Sequence, residues 1–262
     1  MSSQPAPRPT PQPQPQPIDK SAPAKLQRGP TKTRTEPQAK REGPTLDQVR
    51  EHPRVKAFIR AANEQLGVVG YTEHGERHAR TTADSARFIL KSLGHDARRC
   101  ELAAIAAWMH DIGNVITRDR HAQTGALIAA EVLRELHFTE DEVATVMAAV
   151  GNHEGEEGGQ PVSAVSAAVI LADKSDVHRS RVRNPRTTSF DIHDRVNYAA
   201  TAVNIRVDRR EKLITLELTI DTTVSPLMEY FEIFLSRMVL CRRSAEYLHC
   251  LFALVINNTR LL

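Results

Sequence analysis

Five amphipathic helical segments, each with one histidine or aspartate on or at the end of its apolar stripe, set the terms on which this chain can fold. The first runs from about Gly75 to Leu93 and is closed by Gly94. Its stripe is Ala83, Ala86, Ile89, Leu90 and Leu93, and stepping back by helical intervals through Thr82 reaches His78. The second, from about Ala97 to His110, is marked by Leu102, Ile105, Ala106 and Met109, with His110 one turn after Ala106. In the third, His121 to Leu136, the residues His121, Gly125, Ile128, Val132 and Leu136 share a side. Gly125, one turn from His121, removes a side chain where something must approach closely. A capping box, Thr139 to Glu142, starts the fourth, whose Val143, Val146, Met147 and Val150 lead to Gly151–Asn152–His153. The fifth is expected to open at Pro161 and to turn Val162, Val165 and Val169 inward, with Asp173 one turn after Val169.

Burying so many imidazoles and carboxylates without compensation would cost several kcal/mol each. A shared cation removes that cost by pairing the carboxylates and occupying imidazole lone pairs. Asp111, next to His110, belongs to the same set. The donors are nitrogen and oxygen only, which suits iron, manganese, zinc, cobalt or nickel better than a thiolate zinc site or an all-oxygen calcium site.

The sequence His78, then His110–Asp111, then Asp173 resembles the H…HD…D pattern of the HD-domain metal-dependent phosphohydrolases. The flanks agree: Gly75–Glu76–Arg77–His78 leads a helix, Met109–His110–Asp111–Ile112–Gly113 ends one, and Leu171–Ala172–Asp173–Lys174 ends another. His121–Ala122–Gln123–Thr124–Gly125–Ala126 is similar to the H-x-x-x-G-A segment of the binuclear branch, and Gly151–Asn152–His153–Glu154 to its later histidine. That branch includes bacterial HD-type diadenosine tetraphosphate hydrolases. The resemblance implies two divalent ions. His78, His110, Asp111 and Asp173 would hold the first, and His121 and His153 the second, with Asp111 bridging. It also implies hydrolysis of a phosphoester or phosphoanhydride by metal-activated hydroxide. The HD-GYP subgroup differs: no Gly-Tyr-Pro follows His153, one histidine stands there where that group has a pair, and Asn114 stands where Lys is common.

The residues expected in the chemistry are Asp111, as the bridging ligand, and Lys174, which directly follows Asp173. Lys174, Arg179 and Arg183 are the expected phosphate contacts, read from the basic run that also holds Arg181 and Arg186. A solvated basic loop is the competing reading of that run. His74, one turn before His78, could line the site. His193–Asp194 is a second His-Asp pair, but no apolar helix precedes it, and it is not read as a ligand pair.

Outside this region, residues 1–43 are rich in Pro, Gln, Thr and basic side chains and hold almost no large apolar residues. They read as a disordered, partly polyproline arm. Residues 44–185 read as the helical phosphohydrolase domain, with helices starting at Thr45 and Pro53. Residues 186–262 read as a small α+β extension. There Val203, Ile205 and Val207, then Ile214, Leu216, Leu218 and Ile220, alternate as a β-hairpin. Ser225–Pro226 starts an apolar helix, expected as a homodimer face, and the apolar residues 251–256 follow. The fold class is therefore mainly α, an HD-type helical bundle with a C-terminal hairpin-plus-helix extension.

The 262-residue chain is 40% apolar with a net charge of only +3, which does not argue for nucleic acid as a partner. An odd number of cysteines (Cys100, Cys241, Cys250) and the lack of a membrane span point to a reduced, cytoplasmic setting. The expected partner is a small phosphorylated substrate, a nucleotide foremost. Two alternatives are a cyclic-dinucleotide phosphodiesterase, which needs a wider pocket, and a non-catalytic metal-stabilised nucleotide sensor.

Overall fold

Helix α4 (Ala97–Met109) is buried along its whole second half, from Leu102 to Met109. A helix apolar on all sides belongs at the centre of a bundle, and Ala103, Ala104, Ala106 and Ala107 let its neighbours come close. Asp96 caps it, its carboxylate accepting from the backbone N–H of Arg99 at 2.9 Å. In this computed structural model, which describes residues 43–155, 158–184 and 186–261, α4 is the central helix of the bundle. The proline- and glutamine-rich arm, up to residue 42, lies outside the described residues.

Helices α1 (Leu46–Glu51), α3 (Glu76–Leu93), α6 (Glu140–Gly151) and α7 (Ala164–Ser175) pack directly on α4. Helix α2 (Pro53–Val68) packs on α1 and on a 3-10 turn, Ile112–Val115, that follows α4; α5 (His121–Glu135) packs on that turn and on α6. The helix ends obey the expected signals. Gly94 closes α3 in the left-handed region (φ 86°), and the Thr139–Glu142 capping box opens α6. One start is different. Helix α7 begins at Ala164, not Pro161, because the Ser163 hydroxyl accepts from the Ser166 N–H (3.0 Å), and Val162 is left 47% exposed.

Beyond the bundle come α8 (Ile192–Ala199), β1 (Ala200–Asp208), β2 (Leu213–Ile220), α9 (Leu227–Tyr247), β3 (Leu251–Ile256) and the short β4 (Thr259–Arg260). The expected hairpin forms, with Val203 opposite Leu218 and Ile205 opposite Leu216. Sequence reading did not assign β3, which lies parallel to β2 with Leu254 beside Leu216; the sheet order is β1-β2-β3-β4. Parallel neighbours require a long crossover, and α9 provides it. Ser225 does not cap α9; its hydroxyl donates to Glu229 at 2.7 Å. Helix α9 packs on α7, on α8 and on β3, so buried side chains of the bundle (Ile89, Ile105, Val169) and of the extension (Leu216, Tyr230, Phe234, Leu254) form one continuous core. Among the described residues, no helix is long and apolar enough to cross a membrane.

Candidate metal centre

The centre lies where α3, α4, α5, α6 and α7 converge. Helix α3 brings His78 from its first turn. Helix α4 ends into His110, and Asp111 follows with φ −94° and ψ 2°, in the bridge region where active-site residues often sit. The chain then turns so tightly that a methyl at Gly113 would lie 2.0 Å from the carbonyl oxygen of His121. Gly125 faces the same turn, its would-be methyl 3.2 Å from the Gly113 nitrogen. These two glycines let the start of α5 press against the end of α4. His153 follows the last turn of α6, and Asp173 sits on the last turn of α7.

All six side chains meet. The four imidazoles are at most 1% exposed, and the side chains of Asp111 and Asp173 are 12% exposed. The Nε2 atoms of His78 and His110 are 3.1 Å apart, as are those of His121 and His153. Asp111 stands between the pairs. Its Oδ2 is 3.2 Å from His110 and 3.6 Å from His78, whereas its Oδ1 is 3.4 Å from His121 and 3.9 Å from His153. Asp173 Oδ1 joins the first pair, 3.4 Å from His78 and 3.6 Å from His110. Two nests therefore share one carboxylate: His78–His110–Asp111 and Asp111–His121–His153 are each close enough to hold a metal ion, and a third grouping, His110–His153–Asp173, links them.

The opposite nitrogens explain the orientation. Each Nδ1 donates outward: His110 to Ala107 O (2.7 Å), His121 to Arg118 O (2.9 Å), His153 to Val150 O (2.7 Å) and His78 to the Asp176 carboxylate (2.6 Å). A neutral imidazole whose Nδ1 carries the proton presents a lone pair at Nε2. Four such lone pairs point inward, in facing pairs that repel unless a proton or a cation lies between them, and Arg118 Nη1 also approaches His121 Nε2 at 3.2 Å. Asp111 Oδ2 is buried without a hydrogen-bond partner. This donor set fits divalent cations of the nitrogen- and oxygen-loving kind.

The imidazoles are not electrically alike, and His110 is the one that favours a proton. Burial works against the His110 cation, but Asp111 and then Asp173 overcome it and raise its pKa to about 10. Burial, then His110 and His121, push His153 down to about 3. Asp111 is held well below the carboxylate range, His110 outweighing its burial, and so is Asp173, through Lys174 and the histidines.

Lys174 is buried, with Nζ 2.7 Å from Asp173 Oδ2 and 3.2 Å from Glu154 Oε2. Arg179 stacks over Tyr198 (5.1 Å), and Arg183 donates to Asn63 and its carbonyl. The cations that line the cavity beside the nests, of about 300 Å³, are instead Arg118, Arg181 and Arg237. Sequence reading did not single out Arg118 or Arg237. Arg118 comes within 3.7 Å of Asp111 Oδ1 and lies over the Tyr71 ring. It sits on a loop with no periodicity to reveal it. Asp176 was missed too, although its place three residues after Asp173 signals a shared helical face. Arg77 grips Asp176 with two nitrogens, at 2.8 and 3.3 Å. His74 and His193 both line the cavity, and His74 stands 5.5 Å from the His78 ring.

Residues 75–178 match the family model of the HD domain, and the match spans all six convergent residues. An uncharacterized protein of Methanocaldococcus jannaschii is 25% identical over 195 residues, covering 66% of this chain and 74% of that protein. An HD domain is present, and its family is one of metal-dependent phosphohydrolases.

Proposed function

We propose that this HD domain holds two divalent ions and hydrolyses a phosphoester or phosphoanhydride bond of a nucleotide or similarly small phosphorylated metabolite. The observation that carries this reading is Asp111, whose two oxygens each face a different histidine pair. In it, His78, His110, Asp111 and Asp173 hold one ion, and His121, His153 and Asp111 hold the other. When bound, such ions supply Lewis-acid charge and lower the pKa of a water toward neutrality. The chain supplies the rest. Asp176 and the Ala107, Arg118 and Val150 carbonyls fix the imidazoles so that only Nε2 faces inward. Lys174 pins Asp173. Arg118, beside Asp111, offers a guanidinium to phosphate oxygens as negative charge grows on them. Hydrolysis adds hydroxyl to phosphorus and a proton to the departing oxygen.

The division of labour follows: the bundle performs the chemistry, and the extension completes the cavity. A volume of about 300 Å³ sits at the lower end of ligand pockets, which span roughly 300–1,000 Å³. That favours one nucleotide over a cyclic dinucleotide.

The test is metal analysis with turnover of generic phosphomonoesters, phosphodiesters and a nucleotide panel, on the wild type and Asp111→Ala. The wild type is expected to carry about two ions per chain and turn over. Asp111→Ala should lose both ions and at least about 100-fold in metal affinity, beyond the 10–100-fold typical of partners one step out. Wild-type protein that binds metal but turns over none of these would instead favour the sensor reading.

A further inference from the structure

The cavity beside the nests is walled largely by residues outside 75–178. Resting on the hydrolase reading above, we propose that this C-terminal wall recognises the substrate. Arg237 takes the phosphate, and Asn197, with Asp191 and His193, takes a hydroxyl-bearing organic group of mononucleoside size.

Arg237 projects from α9 and stacks over Phe234 at 4.7 Å. It makes no hydrogen bond or ion pair among the described residues. Its surroundings are electrically mixed: Asp173 and Glu154 attract it, while Arg181 and Arg118 repel it. Arg181 is already committed, donating to the carbonyls of Asp176 (2.8 Å) and Glu73 (3.1 Å). Arg118 is partly committed as well, Nη2 donating to Glu154 at 3.3 Å and Nη1 lying 3.2 Å from His121 Nε2, so Arg237 is the guanidinium of the cavity with capacity to spare. An anion between like charges relieves their repulsion and receives charge-assisted hydrogen bonds.

The organic half follows from Asn197, which is 5% exposed on α8. Its Nδ2 donates to the His193 carbonyl at 2.9 Å, which fixes the amide's orientation. Its Oδ1 is buried with no partner among the described residues, and the residue lines the cavity. Buried acceptors are nearly always satisfied, so this one calls for a ligand hydroxyl or N–H. Tyr71 and Phe234, on opposite sides of the sequence match, supply aromatic wall. A cavity of about 300 Å³ then accommodates one sugar-and-base unit rather than two.

Two probes separate the halves of the site. One is a nucleoside 5′-phosphonate, whose bridging carbon resists hydrolysis; the other is methylphosphonate, which lacks the nucleoside. Both are titrated calorimetrically into the full chain loaded with manganese(II), with metal content and circular dichroism checked for each variant. The wild type is expected to bind the nucleoside phosphonate at least about tenfold more tightly. Arg237→Gln should weaken both probes about tenfold, the usual scale of a lost charged hydrogen bond, and Arg237→Lys should recover part of it. Asn197→Leu should weaken the nucleoside phosphonate alone, by about tenfold; Asn197→Ser serves if the leucine variant does not fold. Equal affinity for the two probes, wild-type binding in the Arg237 or Asn197 variants, or no binding of either probe to metal-loaded wild type each overturns the proposal. Binding as expected without turnover of any phosphate ester would sink the hydrolase reading while leaving the recognition site standing.

Discussion

The histidine cluster of the bundle and two polar side chains of the C-terminal extension differ in how far their hydrogen-bonding groups are committed. In the bundle every histidine of the cluster has its outer nitrogen bonded and its inner nitrogen aimed at a carboxylate, at distances of 3.2 to 3.9 Å. In the extension, among the described residues, Asn197 keeps an acceptor without a partner and Arg237 a guanidinium without a paired carboxylate. On the function proposed above, the difference is what two tasks demand. Groups that hold an ion must be rigid and preset, because the ion tolerates little variation in geometry. Groups that meet a transient ligand must keep hydrogen-bonding capacity free until it arrives.

After removal of Asp111, the hardest blow to the bundle's rigidity is Gly113→Ala. The added methyl would sit 2.0 Å from the His121 carbonyl oxygen and 2.5 Å from the Gly125 nitrogen, so α5 must retreat. Overpacking of this kind costs about 1–3 kcal/mol, and the upper end is expected because the obstacle is backbone. His121 would withdraw from Asp111, opening the second nest and sparing the first. Denaturant unfolding and elemental analysis should show lowered stability and about one ion per chain. Unchanged stability with full metal content would show that close contact is not what holds the second nest.

Asp176→Asn probes the same rigidity more gently. Asparagine still accepts from His78 Nδ1, but it loses the charge that pairs with Arg77 and steadies the imidazole. Partners one step from a metal usually contribute 10–100-fold in metal affinity. Metal titration should show that loss for one of two ions, with the second ion's affinity unaltered. Equal weakening of both would mean that the nests are coupled through Asp111 more tightly than their separate histidine pairs suggest.

The same contrast explains what could be read from the sequence. His78, His110, His121, His153 and Asp173 were legible because a helix with a buried stripe fixes where each residue points, and a polar residue on that stripe needs a reason. Gly125 was legible because helical spacing put it one turn from His121. Arg118 and Asn197 were not, since a loop and a short polar helix impose no pattern against which to notice them. Strand β3 escaped because its partner is reached only across α9, a pairing that local alternation does not encode. Arg237 lies one turn from both Phe234 and Cys241 on a helix that reads as plain core, and only the cavity singles it out.

The smallest expected effect lies at the far end of a helix that serves the centre. Glu142 closes the capping box of α6 and accepts from Arg98 Nε at 2.6 Å, while His153 follows the same helix's last turn. The Arg98 hydrogen bond, outweighing slight burial, lowers the Glu142 pKa. A carboxylate lowered on folding contributes stability that is present above its ordinary pKa, near 4.3, and is lost as pH falls through the lowered value. Glu142→Gln should therefore cost about 1 kcal/mol near neutrality, the upper end of the range for exposed pairs, because both side chains are partly buried. The difference from wild type should shrink in acid. Metal content should stay at the wild-type value, because the His153 imidazole is oriented by the Val150 carbonyl rather than by the helix start. If instead the variant lost the second ion, the cluster's rigidity would extend along the whole of α6, and the boundary between preset and uncommitted groups would lie further from the centre than the hydrogen bonds place it.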